Sequence, residues 1–155
     1  MASATIRNAT SNQMTVDYDR SRLLIGSGYE TKRRNYANIS GALETVVEGT
    51  VMGIVTATQK LVPCVSTAVD GSQIPVTILL DSLEGIAIAG TVDSVLTIHA
   101  GTIRRDKIVF QNGSDTLATV VESTGGDSKT MEDWLIQNMA NVEFATVVDS
   151  TKFDN

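Results

Sequence analysis

Two side chains in this sequence are of the kind that does nucleophilic chemistry near neutral pH: Cys64 and His99, the single cysteine and single histidine of 155 residues. A thiol and an imidazole can act as nucleophile and base even when they are distant in sequence. His99, however, falls opposite Leu96, Ile98 and Ala100 in an alternating segment, and so reads as the solvated face of a strand. One Cys and one His cannot complete a structural zinc site. Asp81, Glu84 and Asp93 lie near turn residues, where carboxylates can gather Ca²⁺, but they lack the ligand spacing of a calcium loop. Gly26-Ser27-Gly28 is half of a dinucleotide fingerprint, without the third glycine or the strand–turn–helix setting. Lys32-Arg33-Arg34, with Tyr29 and Tyr36 nearby, has the composition of a small single-strand nucleic-acid patch, although so short a charge run reads first as a solvated face. Phosphate-binding, metalloprotease and nucleophile-elbow motifs do not occur. A carboxylate pair for glycoside cleavage would want cleft aromatics, and aromatics are only 5% of the chain. The sequence thus predicts no catalytic residue, no metal site, no cofactor and no enzyme; function must reside in a surface.

Charge indicates which surface. The formal net charge of −6 is unevenly distributed. Residues 1–36 hold six basic side chains (Arg7, Arg20, Arg22, Lys32, Arg33, Arg34) against three acids, a net +3, while the remainder holds six basic and fifteen acidic residues, a net −9. An acidic body is poorly suited to phosphate backbones. A mildly basic arm on an acidic body suits attachment to another protein's acidic surface. The first twelve residues have no apolar segment of a secretion signal, and no apolar run approaches the roughly 18 residues of a membrane span. The sequons at Asn8, Asn38 and Asn112 are then expected to be chance occurrences in a Thr/Asn-rich chain.

These candidates must be positioned by short strands. Residues 61–110 are Val/Ile/Thr-rich runs cut by Asp70-Gly71-Ser72, Glu84-Gly85, Gly90 and Ala100-Gly101, the pattern of a small all-β domain. Residues 1–41 are rich in Ser, Thr, Asn and Arg, and read as an irregular, extended N-terminal arm with one apolar island, Leu23-Leu24-Ile25. That island suits either an extra strand on a neighbouring sheet or the first strand of the domain's own sheet. Residues 42–155 form the β-rich domain. Residues 45–57 predict a long strand bent or bulged at Gly49 and Gly53. Residues 61–66 predict a short strand that Pro63 assigns to an edge. Further strands are expected over 74–80, 92–100, 102–110, 117–121 and 143–148. Residues 130–141 predict one helix, capped by Thr130, led by Glu132 and Asp133, and buried through Met131, Leu135 and Met139. The fold class is mainly β with one short helix, a small barrel- or sandwich-like domain preceded by an arm.

Pro63, then the run Ala68-Val69-Asp70-Gly71-Ser72-Gln73-Ile74-Pro75-Val76-Thr77-Ile78-Leu79, and later Thr97-Ile98-His99-Ala100-Gly101-Thr102-Ile103, resemble the head decoration proteins of tailed bacteriophages, the lambda-type capsid-cementing family. That family shows a Pro-containing strand, a D-G-S/T turn, a P-V-G-I-L-like strand and a later A-G step. The resemblance covers roughly residues 45–111. Thr77 replaces the glycine of the P-V-G-I-L strand, and the segment from Ser123 onward is longer than a minimal member needs. The resemblance implies a structural virion protein that binds the outer surface of an expanded capsid as a homotrimer and stabilises it. Its partners would be the major capsid protein and copies of itself, with no nucleic acid and no membrane. It would be made in the host cytoplasm and end on the outer surface of the virion. Arg20, Arg22, Leu23, Leu24, Ile25, Lys32, Arg33 and Arg34 are then the candidate capsid-binding arm, and Asp70, Gly71, Ser72, Pro75 and Val76 the motif turn and strand. A second class stays open: a phage tail, fibre or surface β-module that binds a host receptor or glycan.

Overall fold

A computed structural model describes residues 2–7, 13–18 and 23–146. The strands are β1 (Ala2–Arg7), β2 (Gln13–Tyr18), β3 (Leu24–Ala37), β4 (Glu44–Val46), β5 (Val51–Val55), β6 (Lys60–Pro63), β7 (Pro75–Ile78), β8 (Leu83–Ile86), β9 (Thr91–Arg104), β10 (Val120–Glu122), β11 (Ser128–Thr130) and β12 (Asn141–Ala145). One helix, α1 (Met131–Asn138), precedes β12. The main sheet has six strands in the order β12-β9-β3-β6-β5-β7, and three two-stranded sheets pair β1 with β2, β4 with β8 and β10 with β11. The expected β-rich fold with one short helix is present, and its sheets are not closed into a barrel: β12 and β7 are the edges of the main sheet.

Neighbouring residues on single strands feed different clusters. Val51 and Ile78 join a cluster with Leu23, Ile98, Ile103 and the helix residues Met131, Trp134, Leu135 and Met139. Met52 and Leu79, one position along, join Tyr36, Val46, Leu61, Ile86 and Val95. Because side chains alternate across a strand, the two clusters lie on opposite faces of the sheet. Few aromatics are needed, since Val, Ile, Leu and Met fill both. The Trp134 indole donates to the Val121 carbonyl at 3.1 Å, tying α1 to β10. The helix starts where its cap predicts, the Thr130 hydroxyl accepting from the Asp133 amide at 3.1 Å with Glu132 and Asp133 in the first turn, but it ends at Asn138, short of the expected Asn141, which opens β12.

Several local expectations change. The run over residues 45–57 is two strands, because Gly49 turns the chain at φ 86° and donates its amide to the Leu79 carbonyl at 2.8 Å. Pro63 does not mark an edge. β6 lies between β3 and β5, and Pro63 is tolerated there because β6 bridges β3 only at Leu61, opposite Tyr36, before the proline is reached. The edge proline is Pro75, first residue of β7. Gly101 does not end a strand: β9 runs through it at φ 139°, and a Cβ there would lie 2.8 Å from that of Tyr29. The strand expected over 102–110 stops at Arg104, where residues 105–107 form a single 3-10 turn. The strand expected over 117–121 is β10, and the loop at 124–127 turns its hairpin with β11. The closing strand is β12, parallel to β9, with Ala145 opposite Arg104; residues 147 and 148 lie outside the described residues.

The segment read as irregular holds regular pairing. β1 and β2 form an antiparallel hairpin whose register sets Ala2, Ala4 and Ile6 opposite Tyr18, Val16 and Met14. This period-2 pattern is easily overlooked among so many Ser, Thr and Asn residues. Leu24 and Ile25, opposite Ile103 and Thr102, belong to the chain's own sheet, which resolves the alternative left open for that island.

Candidate functional site

β3 brings five of the eight candidate arm residues onto one strand, and Leu23 immediately precedes it; Arg20 and Arg22 lie outside the described residues. At its start Leu23 is buried and its carbonyl accepts from the Arg104 amide at 2.8 Å, Leu24 is half-buried, and Ile25 is exposed. Between Ile25, opposite Thr102, and Glu30, opposite Ala100, the chain bulges through Gly26-Ser27-Gly28-Tyr29. The half-fingerprint of the sequence is therefore the wide bulge of a strand, with φ 76° at Gly26. Beyond it Lys32, Arg33 and Arg34 stand opposite Thr97, Leu96 and Val95. The Lys32 carbonyl accepts from the Thr97 hydroxyl at 2.8 Å, and Arg33 Nη1 donates to the Ser94 carbonyl at 3.0 Å. Lys32 and Arg33 are exposed and Arg34 half-buried. β3 meets β6 only at Tyr36. Among the described residues, then, the other edge of β3 over residues 24–35 pairs with no strand, an arrangement that leaves backbone N–H and C=O groups available to a partner.

The motif turn has the opposite character. Asp70 Oδ1 accepts from the Ser72 amide at 3.0 Å and the Ser72 hydroxyl at 2.6 Å, and these bonds hold its carboxyl below the usual carboxylate range. The Thr56 amide donates to the Asp70 carbonyl at 2.9 Å. Gly71 has φ 101°, and a Cβ on it would lie 2.1 Å from the Thr56 hydroxyl. A Cβ on Gly53 would lie 2.1 Å from the Ser72 carbonyl oxygen. Ser72 and Pro75 are buried, the Pro75 carbonyl accepts from Asn138 at 2.9 Å, and Val76 packs against the second cluster. Thr77, standing where the family pattern has glycine, is buried and donates its hydroxyl to the Ile98 carbonyl at 2.8 Å. The turn and strand thus lock β5, β7, β9 and α1 together, and their polar groups are spent internally.

The Cys64 thiol is buried and donates to the Gln73 carbonyl at 3.3 Å; burial first, then the charge of Asp115, pushes it up to about 12. A thiol so placed stays protonated and is a poor nucleophile. Among the described residues no three His, Cys, Asp or Glu side chains come together, so Asp81, Glu84 and Asp93 do not assemble a cation site. No described helix is long and apolar enough to cross a membrane. One feature that sequence reasoning missed is an open cavity of about 400 Å³ lined by Arg105, Ile108, Phe110, Asp115, Leu117 and their neighbours. Its charges are committed: Arg105 makes two 2.6 Å bonds to Glu132, and Asp115 accepts from the Ser66 amide, the Ser66 hydroxyl and Asn112 at 2.7–2.8 Å. Only the Asn112-Gly113 turn signal hinted at it, because Ser66 and Asp115 are far apart in sequence.

This strand-rich chain, with its tied D-G-S turn and open basic strand, meets the pattern of one family model, that of bacteriophage lambda head decoration protein D, over residues 18–125. The chain belongs to that family. It is accordingly a structural protein of the phage head. The match reaches further in both directions than the turn and strand motifs. It takes in all of β3, and it ends in the turn between β10 and β11, leaving α1 and β12 beyond it. No curated protein matches the chain.

Proposed function

We propose that this protein binds the outer surface of an expanded phage capsid as a homotrimer and stabilises the shell, with the major capsid protein as its partner and the N-terminal segment through Arg34 as its attachment. The observation that carries this reading is the family match over residues 18–125, which includes the basic, edge-open β3. The charge distribution supports it: a net +3 over residues 1–36 can be steered to an acidic protein surface while the net −9 body stays in solvent. Stabilisation needs no covalent bond. A protein that binds the assembled shell and not its separated subunits favours assembly by RT ln(1 + [L]/Kd), about 2.7 kcal/mol per site at a hundredfold excess over Kd. Repeated over many sites, that term opposes the outward pressure of packaged DNA.

Co-sedimentation with expanded and unexpanded capsids tests the reading. The purified protein is expected to bind expanded capsids only. The triple variant Lys32→Glu/Arg33→Glu/Arg34→Glu should associate more slowly at low salt, with the difference shrinking as the Debye length falls from about 10 Å at 0.1 M to 3 Å at 1 M. Binding to a host-surface glycan, with none to either capsid form, would replace this reading with that of a receptor-binding module.

A further inference from the structure

The sequon at Asn112 contains the only Asn-Gly pair of the chain, and the capsid reading leaves its chemistry unused. Residues 111–114 are exposed. The Gly113 amide donates to the Phe110 carbonyl at 2.9 Å, closing a turn, and Gly113 has φ 69°. Apart from its two chain neighbours, no heavy atom lies within 4 Å of where a Cβ on Gly113 would be, so the residue is open to water on that side. The Asn112 side chain is held in a defined direction. Its Oδ1 accepts from the Ser114 amide at 3.2 Å and the Asp115 amide at 3.1 Å, and its Nδ2 donates to Asp115 Oδ2 at 2.8 Å. Two amides on one carbonyl oxygen stabilise the negative charge that the oxygen gains when a nucleophile adds to its carbon. The next nitrogen along the chain is that of Gly113, which no Cβ shields. Each of the other described asparagines is followed by a bulkier residue: Asn35 by Tyr36, Asn38 by Ile39, Asn138 by Met139 and Asn141 by Val142.

We propose that Asn112 is a self-modification site, deamidating in the folded chain and thereby loosening the tie between its loop and Ser66. The inference is independent of the capsid reading. The reaction needs only water. Hydroxide removes the Gly113 amide proton, which gives up its bond to Phe110, and the nitrogen bonds to Asn112 Cγ. The charge moves onto Oδ1, which the Ser114 and Asp115 amides already hold. The Cγ–Nδ2 bond then breaks. Nδ2 takes a proton from water and leaves as ammonia, returning the hydroxide. The product is a cyclic succinimide joining residues 112 and 113. Water opens this ring at either carbonyl, giving aspartate or isoaspartate. Overall one water is consumed, one ammonia is released, and nothing is oxidised or reduced. Asp115 carries the consequence. Its carboxylate also accepts from the Ser66 amide at 2.8 Å and the Ser66 hydroxyl at 2.7 Å, across 49 residues of sequence. Aspartate at 112 exchanges the Nδ2 donor for an oxygen and sets a second negative charge against Asp115, and two carboxylates so close disfavour one another. Isoaspartate lengthens the backbone of the turn by one carbon. Either product displaces Asp115 from residue 112, and its bonds to Ser66 are the ones that this movement weakens.

The test ages the full chain in mildly alkaline buffer, native and in urea, and follows each asparagine by peptide mass spectrometry, with isoaspartate detected by enzymatic methylation. In the native chain residue 112 should convert at least about tenfold faster than Asn141, the ratio that about 1.4 kcal/mol of barrier gives, and no more slowly than in urea. The converted protein carries an added negative charge and can be isolated by anion exchange. Hydrogen exchange at its Ser66 amide should be about tenfold faster than in fresh protein, with exchange on α1 unchanged. Asn112→Asp should show the same change without ageing, and if that variant does not fold, the isolated aged fraction decides. An amide at 112 that survives in the native chain while converting in urea overturns the proposal, because the turn then guards its asparagine. Conversion at 112 with unchanged Ser66 exchange overturns the loosening of the tie.

Discussion

The Asp70 turn and the Asn38 loop, which follows β3, are tied in the same way. In each, one short polar side chain gathers the backbone of a loop: Asp70 takes the amide and hydroxyl of Ser72, and Asn38 reaches three carbonyls and takes the amide and hydroxyl of Ser40. What each knot achieves differs. At the Asp70 turn, two glycines let backbone press on backbone, Ser72 is buried, and the turn is a clamp on β5. Around Asn38, the tying residue is buried and Ser40, Ala42 and Ala87, which it holds, are exposed, while Ile86 is buried. A loop knot can therefore close inward on the fold or stand at the surface, according to whether the serine it ties is buried, as Ser72 is, or exposed, as Ser40 is.

The clamp should be the harder of the two to alter. Gly53→Ala places a Cβ where the Ser72 carbonyl oxygen sits, so β5 and the turn must separate; a loss of about 3 kcal/mol is expected in urea unfolding, the upper end of overpacking costs. A loss under about 0.5 kcal/mol would show that the clamp is loose. Asn38→Ala leaves three carbonyls without their shared donor and should cost about 2 kcal/mol. Its more specific mark is faster amide hydrogen exchange at Gly90, whose N–H donates to the Ala87 carbonyl at 2.8 Å inside the tied loop, with exchange on β5 unchanged.

Asp70→Ala removes two hydrogen bonds at an exposed carboxylate and should cost about 1 kcal/mol at neutral pH. Its pH dependence has a definite sign. The Asp70 carboxyl is held below the ordinary value of about 3.9, so its contribution is complete above that pH and is lost as pH falls through the lower folded value. Wild type should therefore lose stability more steeply than Asp70→Ala below about pH 4, and equal acid slopes would show that the knot contributes nothing through its charge. Smallest in stability is the exposed side of the Asn38 loop: Leu43→Asp should shift the folding free energy by no more than about 0.5 kcal/mol, as surface substitutions do. A large loss there would place Leu43 among the packed residues and abolish the contrast.

How much of this was legible in the sequence follows from range. The helix was readable because its signals are local: Thr130 caps, Glu132 and Asp133 lead, and Met131, Leu135 and Met139 repeat on one side. The D-G-S turn was readable for the same reason. Pro63 misled because its strand position depends on where β3 stops pairing with β6, which no nearby residue announces. Gly101 looked like a strand end, whereas the glycine is needed for the close approach of Tyr29, seventy-two residues earlier. The basic triplet was found as charge, but its place on an edge-open strand depends on pairing with β9, some sixty residues away. Asn38 was dismissed as a chance sequon because two of its three acceptors, Ile86 and Ala87, lie far along the chain.

If the proposed function holds, this member of the head decoration family holds a capsid together by binding it. The most direct measurement is the temperature at which DNA is released from expanded, filled heads of the phage that encodes the protein, compared with and without the purified chain at several concentrations. The account expects decorated heads to release DNA at a higher temperature than bare heads, with a shift that grows with protein concentration and disappears when the protein is stripped off. Decorated and bare heads releasing DNA at the same temperature, with the protein demonstrably bound, would contradict it.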